Sequence, residues 1–192
     1  MALSDEQRKL LEKRVINIKG DIASSDRNYV KEALDTLYAD GAPPIMITIH
    51  SGGGDAEVGL DTYDLIRFYP GITVGMVLVV AGSAANTILQ ACDWRVGTPN
   101  GHVLIHHTKF VVPWDVLMDD TKLSKFRESK KRFFNSKELL ARRTQRALDE
   151  ILRKCDENEW LTTKEALEFG LLDQIVETSS EITVPNKKNG AA

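Results

Sequence analysis

An unbroken apolar run that ends in glycines does most to limit the folds open to this chain. Residues 45–49 read Ile-Met-Ile-Thr-Ile. Nothing alternates there, so both faces of the strand must be covered, as in the middle of a parallel sheet. Ser51-Gly52-Gly53-Gly54 follows at once, and Asp55 is placed to cap a helix carrying Val58, Tyr63, Ile66 and Phe68. The same strand-then-helix unit recurs on either side. Residues 15–18, closed by Gly20, precede a helical pattern over 26–40 with Val30, Leu34, Leu37 and Tyr38, broken by Gly41-Ala42-Pro43-Pro44. After Pro70-Gly71, a strand over 72–80 leads into a turn and helix over 81–92 with small residues at its start. Shorter strands are expected at Val96 and 103–105. Repeated units of this kind predict an α/β fold with a parallel sheet and right-handed crossovers.

The second half reads as helical. One helix is expected over 119–134, with Leu123, Phe126, Lys130 and Phe133 on one stripe. A second begins near Asn135, which with Glu138 has capping-box spacing, and runs through Leu140, Thr144, Ala147, Ile151 and Leu152. Thr162 and Glu165 form another such pair before a short helix ending at Gly170. Leu171-Leu172 and Ile175-Val176 close the ordered part. No linker divides the chain, so a single domain is expected over 1–192, with its core over about 10–177 and a polar tail over 178–192.

Composition removes several function classes. A chain of 192 residues, 42% hydrophobic with a net charge of −3, has material for a core and is not disordered. Its two cysteines, Cys92 and Cys155, cannot make a disulfide scaffold and read as reduced thiols. The longest apolar stretch, 72–85, is interrupted and falls short of the roughly 20 residues a bilayer needs. The polar N-terminus lacks the apolar centre of a signal peptide. A soluble, cytoplasmic protein is expected, with neither membrane nor nucleic acid as partner. The charge is uneven: residues 119–154 carry twelve basic and six acidic side chains. That +6 segment is a solvated face or an interaction surface.

Two turns could carry chemistry. Gly52-Gly53-Gly54 lets backbone approach a ligand at a helix start, or simply makes a tight turn. It lacks the Lys-Ser/Thr of a phosphate loop. Ala81-Gly82-Ser83-Ala84-Ala85 could project a hydroxyl beside backbone N–H groups, or Ser83 could only cap a helix. A histidine, His106, follows an apolar strand twenty-three residues after Ser83. His102 with His106 as a metal pair lacks further ligands.

Taken together, these features resemble the ClpP family of Clp protease proteolytic subunits and its phage head-maturation relatives. The likeness runs over about 10–176. Residues 10–16 and Gly20 resemble the family's opening strand. Ile49-His50-Ser51-Gly52-Gly53-Gly54 is similar to its Ile-Asn-Ser-Pro-Gly-Gly, with His50 for Asn and Gly52 for Pro. Tyr63-Asp64, Pro99-Asn100 and Ile105-His106 match, and residues 165–173 resemble its Glu-Ala-x-x-Tyr-Gly-Leu-x-Asp ending.

The resemblance implies a ClpP/crotonase-like fold with a protruding handle helix, and serine endopeptidase activity on polypeptides. The ungapped register puts Ser83 at the nucleophile of the family's Gly-x-Ala-Ala-Ser, with Val79 at the motif glycine. A gapped register would put Asn86 there instead, as in an inactive subunit. His106 matches the general base. The third triad position, two residues before the aromatic Trp160, holds Asn158, with Asp156, Glu157 and Glu159 as acidic neighbours. Glu157 stands where the family has arginine. Gly54 and Ala84 match the oxyanion hole. The family needs no metal or organic cofactor. It also implies a homo-oligomeric ring, a heptamer or double heptamer, stacked through the handle at 119–134, and an AAA+ unfoldase as partner. The family's leading axial segment is shorter here, and the Gly-Gly pair before the handle is replaced by Val111-Val112-Pro113-Trp114. A crotonase-like acyl-CoA enzyme is the alternative that shares the fold and an oxyanion hole without a Ser-His pair.

Overall fold

The computed structural model describes residues 3–184. The chain begins with α1 (Asp5–Glu12), started by a reciprocal Ser4/Gln7 capping box. The sequence reading missed this helix because its eight residues bury only Leu11. The strand-helix units then follow as expected: β1 (Val15–Ile22), α2 (Ser24–Ala39), β2 (Ile45–Gly54), α3 (Ala56–Phe68), β3 (Thr73–Gly82) and α4 (Ala84–Leu89), then β4 (Trp94–Gly97) and β5 (His102–Leu104). Asp55 caps α3, accepting from the Glu57 and Val58 amides.

Three expectations need correction. The glycine triplet is no loop: Gly53 and Gly54 pair with Asp21 and Ile22 at the end of β2. The helix over 119–134 is regular only as α6 (Asp120–Lys130), capped by Asp119, and tightens to a 3₁₀ turn over Lys131–Phe134. A separate turn of helix, α5 (Trp114–Leu117), precedes it. The helix after it is two, α7 (Asn135–Thr144) and α8 (Leu148–Glu157), parted where Gln145 takes φ 57°. The Asn135 side chain of the expected capping box, and the tail beyond Val184, lie outside the described residues. The Thr162/Glu165 box is formed and starts α9 (Thr163–Phe169), which Gly170 closes in the left-handed conformation.

The sheet order is β1-β2-β3-β4-β7, where β7 is Gln174–Ile175. Its β1, β2, β3, β4 and β7 pairings are all parallel. β3 changes partner along its length. Residues 74–77 pair with β4, and residues 80–82 pair with β5. β5 in turn pairs antiparallel with β6 (Leu161–Thr162). The sheet therefore forks at the C-terminal end of β3. Ile16, Ile18, Ile47, Ile49, Val77, Ile88 and Leu89 form the buried centre below the fork. Arg95, 5% exposed, donates to Asp173, Gln90 and the Gly170 carbonyl, and ties the end of α9 to the sheet. Among the described residues no helix is long and apolar enough to cross a membrane.

Candidate active site

Ser83 stands at the fork, between β3 and α4, with φ 51° and ψ −120°. A positive φ is costly for a residue with a Cβ and persists only where its surroundings impose it. Two close approaches impose it here. A Cβ at Gly82 would lie 2.6 Å from the Gly52 carbonyl oxygen and 2.7 Å from the Trp160 ring. A Cβ at Gly53 (φ +115°) would lie 2.7 Å from the Ser83 Cβ. The ends of β2 and β3 thus press together, and the chain must turn sharply at Ser83. The turn is pinned by the Ser83 N–H donating to the Leu104 carbonyl at 2.9 Å. The Ser83 side chain makes no capping bond, so helix capping does not account for the serine.

His106 lies two residues past β5, whose Leu104 pairs with Gly82. It lines the same cleft of about 490 Å³ as Ser83 and Gly54. Burial, followed by the charges of Lys137, Lys109 and His107, holds the His106 ring below the ordinary histidine pKa. It is therefore a neutral base at pH 7. Its buried Nδ1 has no hydrogen-bond partner among the described residues. A smaller recess behind it, about 30 Å³ or roughly one water in size, is lined by Ser83, Asn86, His106 and Lys137.

The other expected site residues fall into three groups. Ala84 opens α4, so its N–H precedes the helical hydrogen bonds, and it lies against Gly53, whose added Cβ would sit 3.4 Å from the Ala84 nitrogen. Asn86 is the third residue of α4, 1% exposed, with its Oδ1 accepting from Gln90 Nε2. Asn158 is exposed and ends α8 in the left-handed conformation (φ 51°, ψ 37°). No hydrogen bond joins it to His106 among the described residues. Of its acidic neighbours, Asp156 Oδ1 meets His107 Nε2 at 2.8 Å, and Glu157 pairs with Lys154.

The β5/β6 register relates Asn158 to His106 along the chain. His102 faces Thr162 and Val103 faces Leu161. The ladder stops there, but continued three residues further the same register would set Asn158 opposite His106. The left-handed turn at Asn158 interrupts that approach.

Sequence reasoning missed Lys137. It is 8% exposed and donates from Nζ to the His106 carbonyl at 2.6 Å. Desolvation lowers its pKa. A signal was present: Phe133, Ser136, Lys137 and Leu140 follow the i, i+3, i+4, i+7 pattern of a buried helix face. The two cysteines are free and buried, and burial pushes the Cys92 thiol up to about 12. That thiol stays protonated at neutral pH and is no rival nucleophile.

Comparison with known proteins identifies the family. The family model described as Clp protease matches residues 2–179. An ATP-dependent Clp protease proteolytic subunit 2 from Treponema denticola is 32% identical, over 91% of this chain and 87% of its own length. Its namesake from Treponema pallidum is 29% identical with the same coverage. An asparagine-to-aspartate mutant of ClpP1 from Listeria monocytogenes superposes with a TM-score of 0.74 at 24% identity, covering 91% of this chain and 98% of that one. The chain belongs to the Clp protease family of serine peptidases.

Proposed function

We propose that the chain is a serine endopeptidase in which Ser83 is the nucleophile and His106 the general base. The observation that carries this reading is the strained turn at Ser83. It leaves a hydroxyl with no capping role in the same cleft as a neutral histidine. His106 takes the Ser83 proton as Oγ attacks a peptide carbonyl, then returns it to the leaving amine. The N–H groups of Gly54 and Ala84 stabilise the tetrahedral oxyanion. Water, deprotonated by His106, releases the acyl group. Every step is carried by groups of this chain.

Labelling with a fluorophosphonate, followed by peptide mass mapping, tests the assignment. Modification at Ser83, with peptide hydrolysis lost about a thousandfold or more in Ser83→Ala, is the expected result. Modification elsewhere, or unchanged hydrolysis by Ser83→Ala, rejects it.

Asn158 is the proposed partner of His106 Nδ1. Its side-chain oxygen can orient the ring but supplies no charge for the imidazolium. The unpartnered Nδ1 also favours a second reading, a catalytically degenerate subunit working beside an active one. Asn158→Asp separates the two. A several-fold gain in kcat, with the acid limb of the pH profile moved upward, belongs to a working triad. A degenerate subunit stays silent with either residue.

The assembly reading is a homo-oligomeric ring, heptameric or doubly so, acting on polypeptides delivered by an AAA+ unfoldase, in a cytoplasm where the thiols stay reduced. Its support is the apolar exposure of Val111, Trp114, Leu117 and Met118 beside the basic α6, a surface suited to subunit contacts. Sedimentation of the purified protein measures the ring.

A further inference from the structure

The cleft that holds Ser83 has a second charged feature that hydrolysis does not use. Lys130, the last residue of α6, lines it together with Phe110 and Phe133. Its Nζ lies 5.3 Å from the Phe110 ring centroid, 5.5 Å from that of Phe126 and 5.4 Å from that of Phe133. The rings themselves interlock: Phe110 meets Phe126 edge-on at 6.3 Å and Phe133 at 5.1 Å. No carboxylate pairs with Lys130 among the described residues. Its neighbour Lys131, by contrast, pairs with Glu128, and Lys122 with Asp115. The acids of the cleft, Asp55 and Glu57, are on α3 and its cap, and Asp55 is occupied by the helix amides.

Three aromatic faces attract an ammonium and restrict its rotamers, but they do not neutralise it. The entropy that usually makes a lysine a poor partner is thus already spent before ligand arrives. Apolar walls also strengthen any charge-assisted hydrogen bond formed there. An ammonium held in a peptide-sized cleft and paired with no carboxylate among the described residues is a receptor for one.

We infer that Lys130 and its phenylalanine cage form a subsite for an acidic side chain, Asp or Glu, flanking the bond presented to Ser83. This rests on the reading of that cleft as the peptide site. It makes the protein selective for acidic sequence at that position, where Phe110 and Phe133 alone would select an apolar one.

The test is binding, so that it stands apart from catalysis. Fluorescein-labelled peptides differing only in Glu, Gln, Leu or Lys next to the central bond are titrated into the Ser83→Ala protein by fluorescence anisotropy. Glu is expected to bind about tenfold more tightly than Gln. The contrast should vanish in Lys130→Met, persist in Lys130→Arg, and turn to favour Lys in Lys130→Glu. Equal binding of Glu and Gln, or a preference that survives Lys130→Met, overturns the subsite. Fluorophosphonate labelling of the wild-type protein, run beside it, reports on Ser83 alone. A protein that fails to label but still prefers Glu through Lys130 loses the peptidase reading and keeps the subsite.

Discussion

Ser83 and Lys130 face one cleft from two kinds of structure. Ser83 is held by the fork of the sheet: Ala81, Ala84 and Ala85 around it are buried, and two strand ends meet within van der Waals distance beneath it. Lys130 is held by α6, which buries no residue at all, and by three rings of which only Phe133 is buried. Ser83 is positioned by packing, which is stiff and costly to alter. The opposite wall is positioned by a few side-chain contacts, the low-stability kind of structure from which mobile binding elements are drawn. His106 draws on both. It follows β5 of the sheet, while its carbonyl is tethered by Lys137 on α7. The difference suggests that chemistry and substrate selection can be perturbed separately.

The sharpest break in that contrast is Gly82→Ala. Its new Cβ would stand 2.6 Å from a carbonyl oxygen of the neighbouring strand, so backbone must shift to admit it. A loss of about 3 kcal/mol in stability is expected, with Ser83 labelling abolished in the fraction that folds. Thermal melting and labelling of the same sample measure both. A variant that melts and labels like wild type would show the fork to be as compliant as the helical wall.

Lys137→Met probes the junction, with a smaller effect. The variant leaves the His106 carbonyl without its charged donor, and kcat is expected to fall about tenfold, since a hydrogen bond to a charged group is worth about 1.5–3 kcal/mol. The pH dependence gives the sign. Lys137 is one of the charges that disfavour the His106 imidazolium. Removing it moves the His106 pKa upward, toward the ordinary value near 6.5, though burial still holds it down. The base is lost as pH falls through its pKa, so the acid limb of kcat/KM shifts to higher pH. A drop in rate without that shift would make Lys137 a packing residue only.

The same contrast explains what could be read from the chain. The sheet half was legible because its signals are periodic and local: continuous apolar runs for β2 and β3, Asp55 as a cap, Gly41 to Pro44 as a stop. Ser83 and His106 could be singled out through the matched patterns around them, and the structure places both on one cleft. The fork was not, because partner exchange along β3 depends on β5, a strand of three residues, and on two-residue β6. Asn158 shows the limit most plainly. Its position in the chain could be matched, but the left-handed turn it adopts is decided by where α8 stops. Lys137 was overlooked for another reason. Inside a segment of twelve basic residues its burial is declared only by its apolar neighbours at helical spacing.

Phe126→Ala gives the smallest and most selective change. Phe126 touches the site only through others: its ring lies 5.5 Å from the Lys130 ammonium and edge-on to Phe110. It is only half-buried, so stability should fall by no more than about 1 kcal/mol. Hydrolysis of a peptide with Leu beside the scissile bond should stay within twofold of wild type (roughly 0.4 kcal/mol), because neither Ser83 nor His106 depends on this ring. The preference for Glu over Gln should fall about threefold as Lys130 regains rotamers that point into solvent. Steady-state kinetics on the Leu, Glu and Gln peptides read both numbers from one preparation. If all three slow together, the aromatic wall acts on Ser83 or His106, and the two sides of the cleft are mechanically one. If only the acidic preference moves, the wall selects substrate while the fork performs the chemistry.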